Sequence, residues 1–418
     1  MIGIFNGISI GRGGSVKYLT TLPKKLIVSD PTFTDEMDAI GANWSLESGG
    51  TLALNTSEYY SGTGSLKVTN DANTIRQLNR KNISINMSGD LGASLRIWIY
   101  PHSDIALTLD SVWLAASSVA SYWTRYFKYV LNASLSPSCL VANKWNLIVP
   151  YSFVTVGTAP DWAAINILYV SHRNKAGQTP VSSFDKLTYG AVYKPAVLIN
   201  FDDAYQSVYD YAYPILKAKN MVGTVYVNSD YIDQGGRMTS AQLQTLYHDG
   251  WGIANHTGNG VDMTTENDAT IKAQLTACKN FLDNLGITRD TQHLAYPGGI
   301  FNDAVLASIK SWGAKTGRNI INQLNGCEPE MAYQIYSRSV PYNETLATVK
   351  TYIDKAVSSK GVYVLAFHDL SVGAPSAGQW KVQDFSDLLD YIQAQGLQTL
   401  TIDEYYRLYS NNVGVNHI

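Results

Sequence analysis

Val197-Leu198-Ile199-Asn200-Phe201-Asp202-Asp203 is the stretch that decides how the chain is read. Three apolar residues in a row read as a strand buried on both faces, and the two carboxylates fall where that strand runs out. Side chains alternate along an extended chain, so neighbouring aspartates point apart unless the backbone turns. Two anions brought into one pocket repel unless a cation lies between them or one takes up a proton. A metal ligand beside a general base meets that demand. A solvated surface turn is the plainer alternative, and the residues that follow decide between the two.

Outward from this stretch, strands and helices alternate over residues 195–418. Val208, Tyr211, Ala212 and Ile215 mark a helical face that Pro214 must kink or shorten. A strand at 223–227 precedes a helix that Thr239-Ser240 can cap, and the strand at 251–254 runs into Asn255-His256-Thr257. Ile271, Leu275, Cys278 and Leu282 lie on a longer helix ended by Gly286. His293-Leu294-Ala295-Tyr296-Pro297, a helix through Val305 and Ile309, a strand at 363–368 and a helix carrying Phe385, Leu388, Leu389 and Ile392 complete the series. Repeated strand-then-helix units specify a parallel sheet, closed or nearly closed as a deformed α/β barrel. Asp202 and Asp203, His256, Tyr296-Pro297 and His368 then each end a different strand. In a parallel barrel those ends converge on one face, where active sites sit.

Residues 26–194 have a different period. Leu66-Lys67-Val68 and Leu95-Arg96-Ile97-Trp98-Ile99-Tyr100 alternate, as do runs at 145–150 and 165–170, with turn residues between. The expected fold is multidomain: an irregular lead-in over 1–25 containing Gly11-Arg12-Gly13-Gly14, an all-β sandwich over 26–194, and the barrel over 195–418. Trp44, Trp98, Trp113, Trp123, Trp145 and Trp162 fall in the sandwich and are expected mostly in its core. A length of 418 residues fits two cores, and a net charge of -3 without a basic run argues against nucleic acid. Tyr is abundant, at 28, which suits sugar surfaces and β-rich cores alike. Cys139, Cys278 and Cys327 lack metal-ligand spacing and read as structural thiols. The first residues do not form a secretory signal, and no apolar run reaches membrane-spanning length, so no membrane insertion is expected.

Four motifs in order resemble the polysaccharide deacetylases, the family 4 carbohydrate esterases. Members carry Thr-Phe-Asp-Asp-Gly, where this chain has Asn200-Phe201-Asp202-Asp203-Ala204. Their His-Ser/Thr-x-x-His appears as His256-Thr257-Gly258-Asn259-Gly260, followed by Val261-Asp262-Met263-Thr264. Ala295-Tyr296-Pro297-Gly298-Gly299 and Leu365-Ala366-Phe367-His368 match the third motif and the late Leu-x-x-His. The resemblance implies a hydrolase acting on an acetylated polysaccharide and does not choose between N-acetyl and O-acetyl groups. It makes Asp203 and His256 ligands of a divalent metal, with zinc expected, and Asp202 the general base. A backbone N–H near Tyr296 would face the oxyanion, and His368 would protonate the leaving group. Gly260 stands where members have a second histidine, so Asn259, Asp262 or water is left to complete the metal's sphere. The third motif has no arginine; Arg318 is placed to orient the base, with Arg338 as its substitute.

The order Ser61-Gly62-Thr63-Gly64-Ser65-Leu66-Lys67-Val68, a Trp-led strand, then Ser183-Phe184-Asp185-Lys186-Leu187 resembles jelly-roll carbohydrate-binding modules. A glycan-binding protein on the same fold, with a weakened metal site, is the competing reading. A homo-oligomeric or virion-tail setting, stripping acetyl groups from a bacterial surface glycan, fits the architecture. His102, His172, His248 and His417 read as peripheral, and His293 is left open between the site and the periphery.

Overall fold

A computed structural model describes residues 27–410, apart from 30, 42, 48–49, 73–74, 90–91, 93, 103–107, 120–123, 133–139, 141, 144, 149, 151–152, 191 and 327–331. The lead-in, Trp123, Cys139, Cys327, His417 and the side chain of His172 lie outside the described residues.

Ala196–Asp202 is the central strand of the parallel sheet, and every residue in it is buried. The continuous apolar run follows from cover on both faces. Val197, Ile199 and Phe201 point outward, into a cluster with Val349, Ile353, Leu388 and Ile392 from the surrounding helices. Ala196 and Leu198 point inward, against Tyr226, Ala254 and Val364. The strand order is Thr316–Arg318, His293–Ala295, Gly252–Asn255, Thr224–Val227, Ala196–Asp202, Val362–Phe367, Arg338–Ser339, with Gln398–Thr399 also on the central strand. The sheet curls without closing. Its two edge strands do not pair, and the segment holding Ile335 bridges to Arg318 at the seam.

The helices expected from caps and periodicity form, with one difference, and Leu346–Ser358 and Ile402–Ser410 are two more that were not expected. Thr239 caps Ser240–His248 in a reciprocal capping box with Gln242, and Asp268–Asn284 buries Ile271, Leu275, Cys278 and Leu282. The expected kinked helix is two pieces: a π-helical turn, Val208–Ala212, and an α-helix, Tyr213–Ala218, with Pro214 in its first turn. Proline has no N–H to give to the preceding turn, and the wider turn absorbs the mismatch. No helix among the described residues is long and apolar enough to cross a membrane.

Upstream, two antiparallel sheets of six strands each share one core. One runs Asn146–Ile148, Arg96–Pro101, Val181–Tyr189, Ser65–Thr69, Thr51–Asn55, with Phe33–Asp35 also on Val181–Tyr189. The other runs Val154–Val156, Tyr126–Asn132, Leu109–Ser117, Ile167–Asn174, Ile75–Arg80, Trp44–Glu47. Ile97 and Ile99 point into the core, so Trp98 between them faces outward, where Tyr60 stacks over it at 4.3 Å. The expectation that the tryptophans mostly fill the core holds in part among the described residues: Trp44 is in it and Trp162 packs against it, whereas Trp113 and Trp145 are half-buried and Trp98 is buried on the outer face. The two halves touch. Arg96 donates to the Ser359 carbonyl at 2.9 Å, and Tyr336 joins the core of the antiparallel sheets.

Candidate active site

Asp202 ends the central strand, 4% exposed, with both carboxylate oxygens 2.6 Å from one Arg318 nitrogen, Nη2. Arg318 is itself fully buried and reaches Ser337 Oγ with Nη1 at 3.3 Å. Burial alone would raise the Asp202 pKa. The charge of Arg318, followed by those of His256 and His368, overrides it and holds the carboxyl below its ordinary range. Arg318 thus stands beside Asp202. Arg338 does not, since it pairs with Glu344 at 3.0 Å.

After Asp202 the backbone turns through two left-handed residues without being glycine at either: Asp203 at φ 68° and Ala204 at φ 50°. A neighbouring loop holds this turn. Arg237 Nη1 donates to the Asp203 carbonyl at 2.6 Å, and Met238 N–H to the Ala204 carbonyl at 2.8 Å. The guanidinium lies 3.9 Å from the centroid of the Tyr205 ring and 3.8 Å from Asp203 Oδ2. Sequence reading passed over Arg237; its partner is a main-chain atom 34 residues earlier, which leaves no local signal.

The turn directs Asp203 toward His256. Its Oδ1 lies 3.7 Å from His256 Nε2, while Nδ1 sits 2.8 Å from the Ala295 carbonyl oxygen. A carbonyl can only accept, so Nδ1 donates to it, and Nε2 is the ring nitrogen turned toward the carboxylate. Zinc bonds of about 2.0–2.2 Å at a tetrahedral angle set an N and an O ligand roughly 3.3–3.6 Å apart, close to what this pair presents. One carboxylate and one imidazole oriented by the Ala295 carbonyl therefore fit a divalent cation as two of its ligands.

The two side chains expected to complete the sphere have other work. Asp262 Oδ1 caps the next turn, accepting from Thr264 N–H at 2.8 Å and Thr264 Oγ1 at 2.7 Å. Asn259 Oδ1 accepts from Val261 N–H at 3.3 Å. Gly260 sits at φ 74°, with its N–H on Thr257 Oγ1 at 3.0 Å. Among the described residues no three His, Cys, Asp or Glu side chains are grouped to hold a metal, so Asp203 and His256 stand as a pair.

Tyr296 comes to the same face but serves as scaffold. Its N–H donates to the Arg318 carbonyl at 3.0 Å and its hydroxyl to the Tyr333 carbonyl at 2.7 Å; burial pushes the phenol pKa well up. Its own N–H is thus committed, Pro297 has none, and Gly298, exposed at φ 63°, is the next residue with one to offer. His368 follows Val362–Phe367, half-buried, close enough for its charge to act on Asp202. The other histidines stand apart. His248 is exposed at the end of its helix. His293 is buried at the start of its strand, between Thr316 Oγ1 at 2.9 Å and Asp403 Oδ1 at 3.3 Å, away from the strand ends that carry the site.

With this geometry in place, residues 190–317 match the family model described as polysaccharide deacetylase. The stretch is a polysaccharide deacetylase domain. A poly-β-1,6-N-acetyl-D-glucosamine N-deacetylase of Staphylococcus aureus (strain MRSA252) is 28% identical over 138 residues, 30% of this chain and 47% of that protein. The chain spans under half the length of this relative. Two solved structures are similar over part of the chain. The Streptococcus pyogenes deacetylase PplD in complex with acetate has 22% identity and a TM-score of 0.32, over 34% of this chain and 62% of that one. The Xyl-CE4 domain of a multidomain xylanase from the hindgut metagenome of Trinervitermes trinervoides has 14% identity and a TM-score of 0.38, over 54% and 94%.

Proposed function

We propose that the deacetylase domain removes acetyl groups from a polysaccharide with the help of a divalent cation, zinc, held by Asp203 and His256. The observation that carries this reading is the grip of buried Arg318 on Asp202 beside that pair. A surface that only binds glycan has no need of a buried, ionised carboxylate next to an oriented imidazole.

When bound, the cation would polarise the acetyl carbonyl and acidify water. Asp202, ionised and kept in place by Arg318, takes the proton of the attacking water. Negative charge growing on the carbonyl oxygen meets the Gly298 N–H on the turn after Tyr296. His368 gives a proton to the departing nitrogen or oxygen, since an amine cannot leave as an anion. The name of the staphylococcal relative supports an N-acetylated glucosamine polymer as the first substrate to try. For the strand-rich half, read as jelly-roll-like, a glycan-holding role is supported by the outward cluster of Tyr60, Trp98, Tyr100 and Trp145.

One observation favours the second reading, a glycan-binding protein with a weakened metal site: the missing third side-chain ligand. Acetate release from a panel of acetylated glycans, with and without chelator, separates the two, with zinc binding followed by calorimetry. The expected result is release that chelator abolishes and zinc restores. Glycan binding without release on any member of the panel would overturn the proposal.

A further inference from the structure

The interior of the curled sheet holds polar side chains that the groups at its mouth do not use. Asn200 lies two residues before Asp202 on one strand, so it points to the same side, one layer deeper. It is fully buried, and neither its amide oxygen nor its nitrogen has a hydrogen-bond partner. Tyr226 pairs in register with Asp202 on the next strand; it too is fully buried, and its hydroxyl makes no well-formed hydrogen bond, with the Arg318 guanidinium the neighbour that acts on it. The Arg318 guanidinium lies 5.1 Å from that ring's centroid, and its Nε is unpartnered while its other nitrogens serve Asp202 and Ser337. Small residues stand beside these on one side of the register, Ala366 beside Asn200, Ala254 beside Tyr226 and Ala295 beside Arg318, while Thr224, on the other side of Asn200, has its hydroxyl on the Ile402 N–H.

Buried polar groups almost always find a partner, so several orphans in one small-walled place call for a shared one. Their chemistry selects its class. The Asn200 amide and the Tyr226 hydroxyl both donate and accept, whereas Arg318 Nε only donates. The Asp202 carboxylate repels an anion, and the guanidinium repels a cation. A small neutral molecule that both donates and accepts is water, and a polar site of this kind holds it. Direct contact between Tyr226 and Arg318 would still leave the Asn200 amide unserved.

We propose that ordered water fills a closed polar cell beneath Asp202, bonded by Asn200, Tyr226 and Arg318 Nε, and that Asn200 is a positioning residue. Through this water Asn200 steadies the guanidinium that holds the base. The water site stands on the fold alone; the positioning role rests on the function proposed for Asp202. Family members carry threonine where this chain has Asn200, so the cell is a feature of this chain's own residues.

A crystal structure of the full chain, at a resolution that shows ordered solvent, tests the site. The expected result is a density peak within hydrogen-bond distance of the Asn200 amide and of Tyr226 OH or Arg318 Nε. An amide bonded directly to protein groups, with no peak in the cell, would overturn it. The positioning role is read from Asn200→Leu, which dries the cell, and Asn200→Ser, which leaves a hydroxyl and room for water. Asn200→Leu is expected to lower kcat about tenfold with KM unchanged, and Asn200→Ser to recover most of the loss. Wild-type kcat in a folded Asn200→Leu protein would refute the role. Inactive wild type would count against the proposed function and leave the density result to judge the water.

Discussion

Gly260 stands where the family pattern has a second histidine, and its backbone sets the cost of restoring that side chain. It sits at φ 74°, and an added Cβ would lie 3.1 Å from Asn228 Nδ2. Gly260→His is expected to tighten zinc binding by about tenfold or more, and to lower stability by about 1 kcal/mol through the left-handed backbone. Calorimetric titration of the metal-free protein and a thermal melt read the two effects; unchanged affinity would mean the imidazole does not reach the cation. Asp262→Ala in the same titration should leave zinc affinity unchanged, because Asp262 holds the next turn through Oδ1 and, among the described residues, is not grouped with Asp203 and His256. At this scale the sequence was informative wherever a polar residue ended an apolar run, which is how Asp202, Asp203, His256 and His368 could be picked out. Arg318 was reached only through the family resemblance, as an arginine on the strand after the third motif. Arg237 and Asn200 could not be found, since one acts on a distant main-chain carbonyl and the other is defined by what it lacks.

Elements were legible where periodicity and caps agree, as for Ser240–His248 and Asp268–Asn284. Alternation located the strands around Trp98, but it cannot say which face is the core until both sheets are placed, and Trp98 proves to lie on the outer one. The loop before the His293–Ala295 strand hides a further effect. Asp290 is fully buried, with Oδ2 3.0 Å from Arg289 Nε and Oδ1 unpartnered. Burial pushes its pKa up to about 7, with the Arg289 charge pulling against the rise. The folded chain therefore keeps a proton that the unfolded chain releases from about pH 4 upward. Stability from this group is full below that point, falls as pH rises to about 7, and stays lost above. Asp290→Asn cannot ionise, so its gain over wild type should be small at pH 4 and on the order of 1–3 kcal/mol at pH 8. Melting midpoints across that range check it; a gain that does not grow with pH would contradict the assignment.

Over the whole molecule, every residue proposed for catalysis lies in the parallel-sheet half, so residues 195–418 alone should fold and cleave small acetylated substrates. The contacts between the halves qualify this. Tyr336 would lose its packing and the Ser359 carbonyl its partner Arg96, so the shortened protein should be less stable by about 1–3 kcal/mol. A weaker loss on small substrates than on polymer would fit a glycan-holding role for the removed half, and an insoluble product would show the division at 194 to be wrong. The measurement that tests the central claim most directly is acetate release by Asp202→Asn at matched zinc occupancy. An amide cannot take the water's proton, so release should fall by about 100-fold or more. Zinc affinity should hold, while the melt drops because Arg318 loses its counter-charge. Near wild-type release from this variant would contradict the account.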